Sequence, residues 1–477
     1  MDSTRLARQI HSSSNRPSSH ESSMIDANSA TALTSQAVSA EEANMLKKRV
    51  PLSILPLATV LRTLATTTIS SSPILLPPSL AAMNVLAHTE NAVLNPDKNP
   101  ILGWFLKKTF YAQFCAGENA AEVRQTVDGL RRIGFTGVIL GYAKEVVLSK
   151  SQTANLTACD QGAEKDECVQ NEIGPWAAGT METVRLAQPG DFVALKFTGA
   201  GRQALYALKN RLPPPRELRA AIDDVCDLAR ERNVPLLFDA EQTALQAGID
   251  DWTLEYQRRH NTVPGHAIIY GTYQAYLKAC PAVLGSHLAA AAKDGFTLGV
   301  KLVRGAYLGA DPRHIIHDTK EDTDKCYDGI TESLIRREWN DTLSQDVKYP
   351  LVSVLLGSHN LESVRRARTI RDSISIPPPT TYPAQGPVSE LAIAQLQGMA
   401  DDVSCELVCV KKNDEKLGED STRAYKYIVW GSTGECMKYL LRRANENKDA
   451  VQRTRSARDA MWTELMRRFW ATLGRRA

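Results

Sequence analysis

The sequence predicts an α/β fold in the form of a (β/α)8 TIM-type barrel, and two observations lead to this prediction. After Pro100, short apolar runs rich in β-branched residues alternate with amphipathic stretches of helical periodicity. Polar side chains stand where these runs end. A doubly wound sheet would explain the alternation equally well, but only a barrel gathers every strand end at one mouth. The barrel is therefore the preferred architecture.

Eight apolar runs are the predicted strands: 138–141, 192–197, 235–238, 267–270, 298–303, 351–356, 394–396 and 425–430. The polar or small residues at their ends are Lys196, Asp239, Gln274, Arg304, His359, Gly398, Trp430 and Gly431. Three connections are candidate loops at the surface or over the barrel mouth, namely 149–174, 311–348 and 376–387.

The region before the barrel divides into two predicted parts. Residues 1–50 are a disordered N-terminus or a mitochondrial presequence, because the first 40 residues contain 11 serines and three arginines but also three acids. Residues 51–130 are a predicted helical segment, and 131–477 are the barrel. The apolar stretch 51–88 forms a pair of packing helices or contacts a membrane surface, and packing is favoured.

Composition excludes several classes of protein. A net charge of +3 gives no argument for nucleic-acid binding. The nine cysteines include no C-x-x-C pair and indicate reduced thiols rather than a disulfide framework or a zinc site. The four-residue spacing of Cys405 and Cys409 is typical of a helix core. The sequence contains no run of about 18 apolar residues, so a membrane-spanning helix is not predicted.

The segment Gly199-Ala200-Gly201-Arg202-Gln203-Ala204 matches the G-x-G-x-x-A dinucleotide fingerprint. That fingerprint needs an acidic residue about 20 residues further on, at the end of the next strand. Here the next strand ends at Asp239, roughly twice as far away. A tight strand-to-helix turn is the better interpretation.

Two strand ends carry opposite charges. Asp239 follows the strand Leu-Leu-Phe, where an acid could simply cap the next helix. Lys196 ends the run Ala-Leu-Lys-Phe, and a lysine among apolar neighbours must find an anion or water. We therefore expect Lys196 and Asp239 to form a pair at one rim.

The segment Lys301-Leu302-Val303-Arg304-Gly305-Ala306-Tyr307 indicates a site for an anionic or electron-rich cofactor. Strand alternation places Lys301 and Val303 on the inner face and Arg304 at the exit. The glycine allows close approach of the backbone. His359 and Asn360 add hydrogen-bonding groups at the next strand end, although a lone histidine is more often structural.

Near the C-terminus, Ser432 and Glu435 form an S-x-x-E capping box, which predicts a helix that carries Arg442, Arg443 and Glu446. A solvated helix could place such charges together by chance. However, the arginines precede the glutamate, which is the weaker order for helix pairing. Two guanidinium groups on a half-buried helix suit a carboxylate ligand.

Several ordered segments resemble proline dehydrogenase, the FAD-dependent enzyme family of mitochondrial proline catabolism. The resemblance covers residues 100–470 and includes FYAQFCAGE, LFDAEQT, YGTYQAYLK, KLVRGAYL, GSHN, QLQGMAD, YKYIVWG and YLLRRANEN. It implies a distorted (β/α)8 barrel that oxidises L-proline to 1-pyrroline-5-carboxylate. The implied partners are FAD and a quinone acceptor, and the implied location is the matrix side of the inner mitochondrial membrane.

The resemblance also implies roles for individual residues. Arg442 and Arg443 would hold the proline carboxylate together with Lys196, while Tyr427 and Tyr307 would line the ring and Asp239 would orient the cations. The residues implied to hold FAD are Gln274, Lys301, Val303, Arg304, Gly305, Ala306, His359, Asn360 and Glu446, with 319–324 as a looser addition. Hydride would pass from proline C5 to flavin N5, and Lys301 would stabilise the negative charge that this adds to the flavin.

Three alternatives stay open at this point. Hydroxyproline dehydrogenases resemble this family closely but carry a smaller hydroxyl residue in place of Tyr427. A methylenetetrahydrofolate reductase-like flavin barrel is chemically related but lacks the paired arginines. A catalytically inactive barrel that serves as a binding module is the alternative from another functional class.

Overall fold

The computed structural model describes residues 50–89, 91–143, 166–309, 311–374, 391–413, 422–449 and 451–474. The side chains of 410–413, 445–449 and 451–453 lie outside this description. Residues 1–49 of the predicted terminal segment 1–50 also lie outside the described residues, as do the candidate loop 376–387 and most of the insert 149–174.

Eight parallel strands close into a barrel in the order of the sequence, from β1 to β8. The strands are β1 Gly137–Tyr142, β2 Phe192–Leu195, β3 Leu236–Phe238, β4 Ile269–Gln274, β5 Leu298–Val303, β6 Val352–Gly357, β7 Leu391–Leu396 and β8 Arg423–Trp430. Gly137 of β1 pairs with Tyr425 of β8, which closes the ring. The predicted (β/α)8 barrel is confirmed, and each predicted strand overlaps an observed one.

The helices alternate with the strands and precede the barrel. Before β1 lie α1 Leu57–Ser71, α2 Leu76–His88, α3 Pro100–Leu106 and α4 Ala120–Ile133. Within the barrel, they are α5 Gly174–Leu186, α6 Arg202–Lys209, α7 Arg216–Glu231, α8 Thr243–His260, α9 Cys280–Asp294, α10 Lys320–Arg336, α11 Leu361–Asp372 and α12 Asp401–Asn413. After β8 follow α13 Thr433–Asp449 and α14 Val451–Thr472. A π-helical turn at Lys107–Tyr111 continues α3.

The apolar core has two layers because the strands are buried on both faces. The outer layer joins strand side chains to the surrounding helices. The inner layer fills the barrel, where Phe192 packs edge-on against Tyr270 at 5.6 Å and Tyr425 at 5.2 Å between ring centroids. Tyr427, two residues beyond Tyr425, is only partly buried. Aromatic packing thus fills the barrel interior, and the polar side chains Thr272 and Lys301 lie towards the carboxyl ends of their strands.

Helices outside the barrel repeat pack against each other and support the C-terminal helix α13. α1 contacts α14, and α2 contacts α13. Met83 of α2 and Leu106 of α3 share a buried cluster with Met437 and Leu440 of α13. For the apolar stretch 51–88, the structure thus agrees with the favoured prediction of a pair of packing helices.

One loop prediction is wrong, and a second is wrong over the part of it that the structure describes. The connection 311–348 contains α10, whose N-terminus is capped by the Thr319 side chain accepting a bond from Asp322 N at 3.0 Å. Residues 166–173, at the end of the predicted surface insert, are helical, and Cys168, Glu172 and Ile173 are buried there. In both segments, the polar composition suggests a loop, because the side chains that become buried are few.

Candidate functional site

The dinucleotide fingerprint at Gly199–Ala204 is a structural turn. Phe197–Ala200 is a short 3-10 helix, and Gly201 has φ of +90° before α6 begins. The Glu172 carboxylate accepts a bond from Arg202 N at 2.6 Å, and a Cβ on Gly201 would lie 2.1 Å from that carboxylate. A buried protein carboxylate therefore occupies the helix N-terminus where a phosphate would sit, which confirms the interpretation as a tight turn.

The barrel mouth contains a cluster of two buried charged residues, Asp239 and Lys301, and the half-buried Tyr427. Lys301 Nζ donates to Asp239 Oδ1 at 2.5 Å, and both side chains are buried. Tyr427 Oη donates to Asp239 Oδ2 at 3.3 Å, while Lys301 Nζ lies 5.5 Å from the centre of the Tyr427 ring. The cluster joins the ends of β3, β5 and β8. Burial and the Asp239 charge hold the pKa of Tyr427 well above its ordinary value, so its hydroxyl stays protonated.

The prediction that Lys196 pairs with Asp239 is wrong, because the Asp239 carboxylate forms its ion pair with Lys301. Lys301 is an inward residue of β5 and reaches across the mouth, whereas half-buried Lys196 is the first residue after β2. The positive charge of Lys196 acts instead on the carboxylate of Glu241. Asp239 also does not act as a helix cap, since α8 begins only at Thr243.

Glu241 is a buried carboxylate that the sequence prediction did not include. It is 4% exposed and accepts bonds from the backbone N of Thr198, at 3.0 Å, and from the Thr198 hydroxyl. Burial raises its pKa, and the positive charge of Lys196 opposes that rise. The signal that could have found it is the Asp-x-Glu spacing directly after β3, which places both carboxylates at the same strand end.

Tyr307 and the arginine helix border this cluster. Tyr307 Oη donates to Ala240 O at 3.4 Å, next to Asp239. On α13, Arg443 Cζ lies 5.1 Å from the centre of the Tyr439 ring, and its charge acts on Tyr427. Arg442 and Arg443 are both half-buried. Tyr439 was also missing from the prediction; its position one turn before Arg443 on the same helix was the available signal.

The predicted capping box that orients α13 is present. Glu435 N donates to Ser432 Oγ at 3.2 Å, and Ser432 N donates to Glu435 Oε2 at 2.9 Å. The helix therefore starts at a fixed point immediately after β8, with its arginines two to three turns further on. Glu446 belongs to the same helix, but its side chain lies outside the described residues.

The segment after β5 has donors that fit an anionic cofactor. Gln274, the last residue of β4, accepts a bond from Ala306 N at 3.3 Å, and its buried Nε2 has no hydrogen-bond partner among the described residues. Thr272, on the same face of β4, also has a buried hydroxyl without such a partner in the described part of the chain. Buried polar atoms normally have partners, so this face of the mouth is chemically suited to a bound polar group.

Gly305 is required by packing at this place. Its φ is +157°, and a Cβ there would lie 2.3 Å from the Tyr276 ring. Val303, the last residue of β5, pairs in register with Gln274. The strand end therefore leaves the barrel directly beside the Gln274 side chain, whose amide nitrogen has no hydrogen-bond partner among the described residues.

Arg304, His359 and Asn360 have structural contacts of their own. Arg304 donates at 2.8 Å to Asp324, Ser358 and Ser363 and stacks 4.2 Å from the centre of the Tyr327 ring. The His359 Nε2 accepts a bond from Leu396 N at 3.1 Å, and the Asn360 side chain caps α11. These contacts fix the β5, β6 and β7 ends relative to one another, so the three predicted cofactor residues are at the mouth but are also part of its framework.

Within the part of the chain that the structure describes, no group of three or more metal-ligating side chains could hold a metal ion. The eight cysteines described are all free and buried.

Comparison with known proteins identifies the family. The family model described as proline dehydrogenase matches residues 123–456. A relative from Schizosaccharomyces pombe, "Probable proline dehydrogenase, mitochondrial", is 30% identical in an alignment of 410 positions that covers 76% of this chain and 80% of that protein. A hydroxyproline dehydrogenase from Bos taurus is 29% identical over 77% of this chain and 82% of its own length.

Solved structures agree on the fold. Proline utilization A from Bdellovibrio bacteriovorus, inactivated by N-propargylglycine, superposes with a TM-score of 0.56 at 18% identity. The match covers 78% of this chain but only 37% of that longer one. The family match, the S. pombe relative and the barrel lead to one conclusion: the chain belongs to the proline dehydrogenase family.

Proposed function

We propose that this protein is a mitochondrial FAD-dependent proline dehydrogenase that oxidises L-proline to 1-pyrroline-5-carboxylate and passes the electrons to a quinone. The observation that carries the proposal is the Asp239–Lys301–Tyr427 cluster at the barrel mouth, bordered by the arginine pair of α13. Relatives named mitochondrial support the location.

The charges at the mouth suit an amino-acid substrate. Asp239 pairs with Lys301, and the charge of Lys196 acts on Glu241. Arg442 and Arg443 of the bordering helix offer guanidinium forks, which bind carboxylates such as that of proline with charge-assisted bonds. Tyr427 and Tyr307 offer aromatic faces to the apolar ring carbons. Bound substrate would thus be held at both its charged and its apolar end, which fixes the position of C5.

FAD would be held by residues on the β4–β5–β6 side of the mouth. The Gln274 amide nitrogen, the Lys301 ammonium and the Arg304 guanidinium are donors suited to an anionic, electron-rich group. Gly305, Ala306 and Val303 would give this group access to the backbone. His359, Asn360 and Glu446 complete the proposed set. When bound, FAD would accept the hydride equivalent that leaves proline C5. The protein's own contribution is to position C5 and to place the Lys301 charge beside the cofactor.

The test is anaerobic addition of L-proline to the purified flavoprotein, which should bleach the flavin absorbance. Arg442→Met and Arg443→Met should retain FAD but lose about tenfold to a hundredfold in kcat/KM for proline, because a hydrogen bond to a charged group contributes about 1.5–3 kcal/mol. A protein that holds flavin but is not bleached by proline would contradict the proposed activity. Values of kcat/KM within about twofold of wild type in both variants would contradict the role of the arginine pair.

A further inference from the structure

A group of large apolar side chains is exposed in and just before α3. Val93 is 68% exposed, Leu94 41%, Ile101 79%, Trp104 63% and Phe105 53%. Scattered exposed apolar residues are ordinary, but five within 13 residues of chain are not. We call Ile101, Trp104 and Phe105, with Val93 and Leu94, the α3 apolar face.

The α3 apolar face is held outward by the local structure. Ile101, Trp104, Phe105 and Lys108 follow the i, i+3, i+4, i+7 spacing of one helix side, continued through the π-turn. Asn99 caps the helix by accepting bonds from Ile101 N and Leu102 N at 3.1 Å, and Pro100 occupies its first position. Leu106 is buried at 5% exposure and fixes the helix to the protein. The exposure is therefore a property of a well-defined helix.

The chemistry of this face is that of a lipid interface. Trp and Phe beside an exposed lysine are typical of segments that lie at the headgroup level of a bilayer. The preceding stretch 50–89 contains no acidic residue and carries one arginine, Arg62. Beside the face itself, the exposed acid Asp97 is offset by the exposed cations Lys98 and Lys108, so these charges do not repel an anionic surface. The turn between α1 and α2 exposes Ile74 by 81% and Leu75 by 46%.

The geometry favours surface contact. No single helix among the described residues is long and apolar enough to cross a membrane; α1 and α2 reach that composition only together, with a bend of 107° at their junction. Moreover, one side of each helix is already used inside the protein, since α1 packs on α14 and α2 on α13.

We propose that the α3 apolar face binds the surface of a phospholipid bilayer. The role of this binding rests on the proposed function, because the enzyme would reach a lipid-soluble quinone at the bilayer surface. Met83 of α2 and Leu106 of α3 lie in one cluster with Met437 of α13, so the bilayer would lie next to the helix that carries the arginine pair.

The experiment compares binding of the full chain to vesicles of phosphatidylcholine and anionic phosphatidylglycerol in equal parts, by co-sedimentation. The triple variant Ile101→Ser, Trp104→Ser, Phe105→Ser should lower the partition coefficient about tenfold or more. The matched control replaces three exposed apolar residues elsewhere, Leu212→Ser, Val263→Ser and Val347→Ser, and should bind like wild type. Trp104→Ser alone should give an intermediate loss, which guards against misfolding of the triple variant.

Activity separates this inference from the proposed function. With a water-soluble dye as acceptor, the triple variant should oxidise proline at the wild-type rate, whereas with a quinone dissolved in the vesicles it should be slower. If the wild-type protein did not oxidise proline, the proposed function would be contradicted, but the result of the vesicle-binding experiment would still be valid. Equal vesicle binding by wild type and triple variant overturns the lipid proposal. So does a wild-type dimer in solution that the triple variant abolishes, because a second copy would then cover the face.

Discussion

The side chains at the barrel mouth show how residue-scale electrostatics could be only partly foreseen. Strand alternation correctly predicts that Lys301 faces inward, because side chains in a strand point alternately to its two sides. It does not predict which carboxylate Lys301 reaches, since Asp239 lies two strands away. The pairing therefore depends on the curvature of the closed barrel, which a single sequence does not contain.

For the Lys301–Asp239 pair, we predict that removing the two charges shifts the midpoint potential of the bound flavin in opposite directions. Lys301→Met should lower the midpoint potential of the bound flavin, because a positive charge near the cofactor favours the negatively charged reduced form. Asp239→Asn should raise the potential, since it leaves the Lys301 charge uncompensated. Spectroelectrochemical titration of both variants measures the two shifts. Shifts of the same sign, or none in either variant, would show that the pair is purely structural.

Tyr427 is expected to determine substrate choice. Its ring lies at the mouth and its hydroxyl is held by Asp239, so a 4-hydroxyl group on the substrate would be crowded and poorly hydrated. Proline should be preferred over trans-4-hydroxyproline. In Tyr427→Ser, the proline-to-hydroxyproline ratio of kcat/KM should fall, mainly through lost proline activity. Steady-state kinetics with both substrates provides the ratio, and Tyr425→Phe, a change inside the barrel, serves as the control. An unchanged ratio would leave Tyr427 as a packing residue.

At the scale of helices and strands, local signals were the reliable ones. The capping box at Ser432 and Glu435 predicts the start of α13 correctly because both of its hydrogen bonds are local. By contrast, the helix α10 was missed, since its buried side is visible only once the barrel is in place. The contact between Arg443 and Tyr439 lies within one helix and could have been predicted from the spacing alone.

The contact between β4 and α9 predicts a pH dependence of stability. Tyr273 of β4 and His287 Nδ1 of α9 are 2.8 Å apart, and burial lowers the pKa of His287 to about 4. The unfolded chain, with an ordinary histidine pKa near 6.5, binds a proton between these values while the folded protein does not. His287 therefore lowers stability as the pH falls from 6.5 to 4.

This dependence is measurable as a difference between two proteins. Over that range, the unfolding free energy of wild type should fall relative to His287→Gln by on the order of 1 kcal/mol per pH unit. Urea titrations at several pH values provide the comparison, in which carboxylate effects common to both proteins cancel. Parallel pH profiles would show that His287 binds its proton at the same pH in the folded and unfolded states, which would contradict the lowered pKa.

At the scale of the whole molecule, the helix at the C-terminal end secures the beginning of the described chain. Arg468 of α14 donates to the carbonyls of Leu52, Ser53 and Leu55 at 3.2, 3.3 and 2.9 Å. Its Nε also donates to Glu464, which is 0% exposed. One guanidinium thus links α14 to the chain just before α1.

Arg468→Met should release this connection. We expect faster hydrogen exchange in α1 and a loss of about 1–3 kcal/mol of stability, because buried Glu464 loses one of its two arginine partners. Barrel strands should exchange as in wild type. The matched control is Arg467→Met, which also removes one Glu464 partner but none of the contacts to residues 52–55. Equal exchange of α1 in both variants would contradict the link.

The pairing of β1 with β8 has a consequence for synthesis of the chain on the ribosome. β1 leaves the ribosome early, yet its second partner strand ends only at Trp430. Until then, one edge of the growing sheet has no neighbour, and unpaired strand edges favour aggregation. The β1 edge therefore stays unpaired until β8 has been made, and we expect a chaperone to bind the nascent chain during that interval.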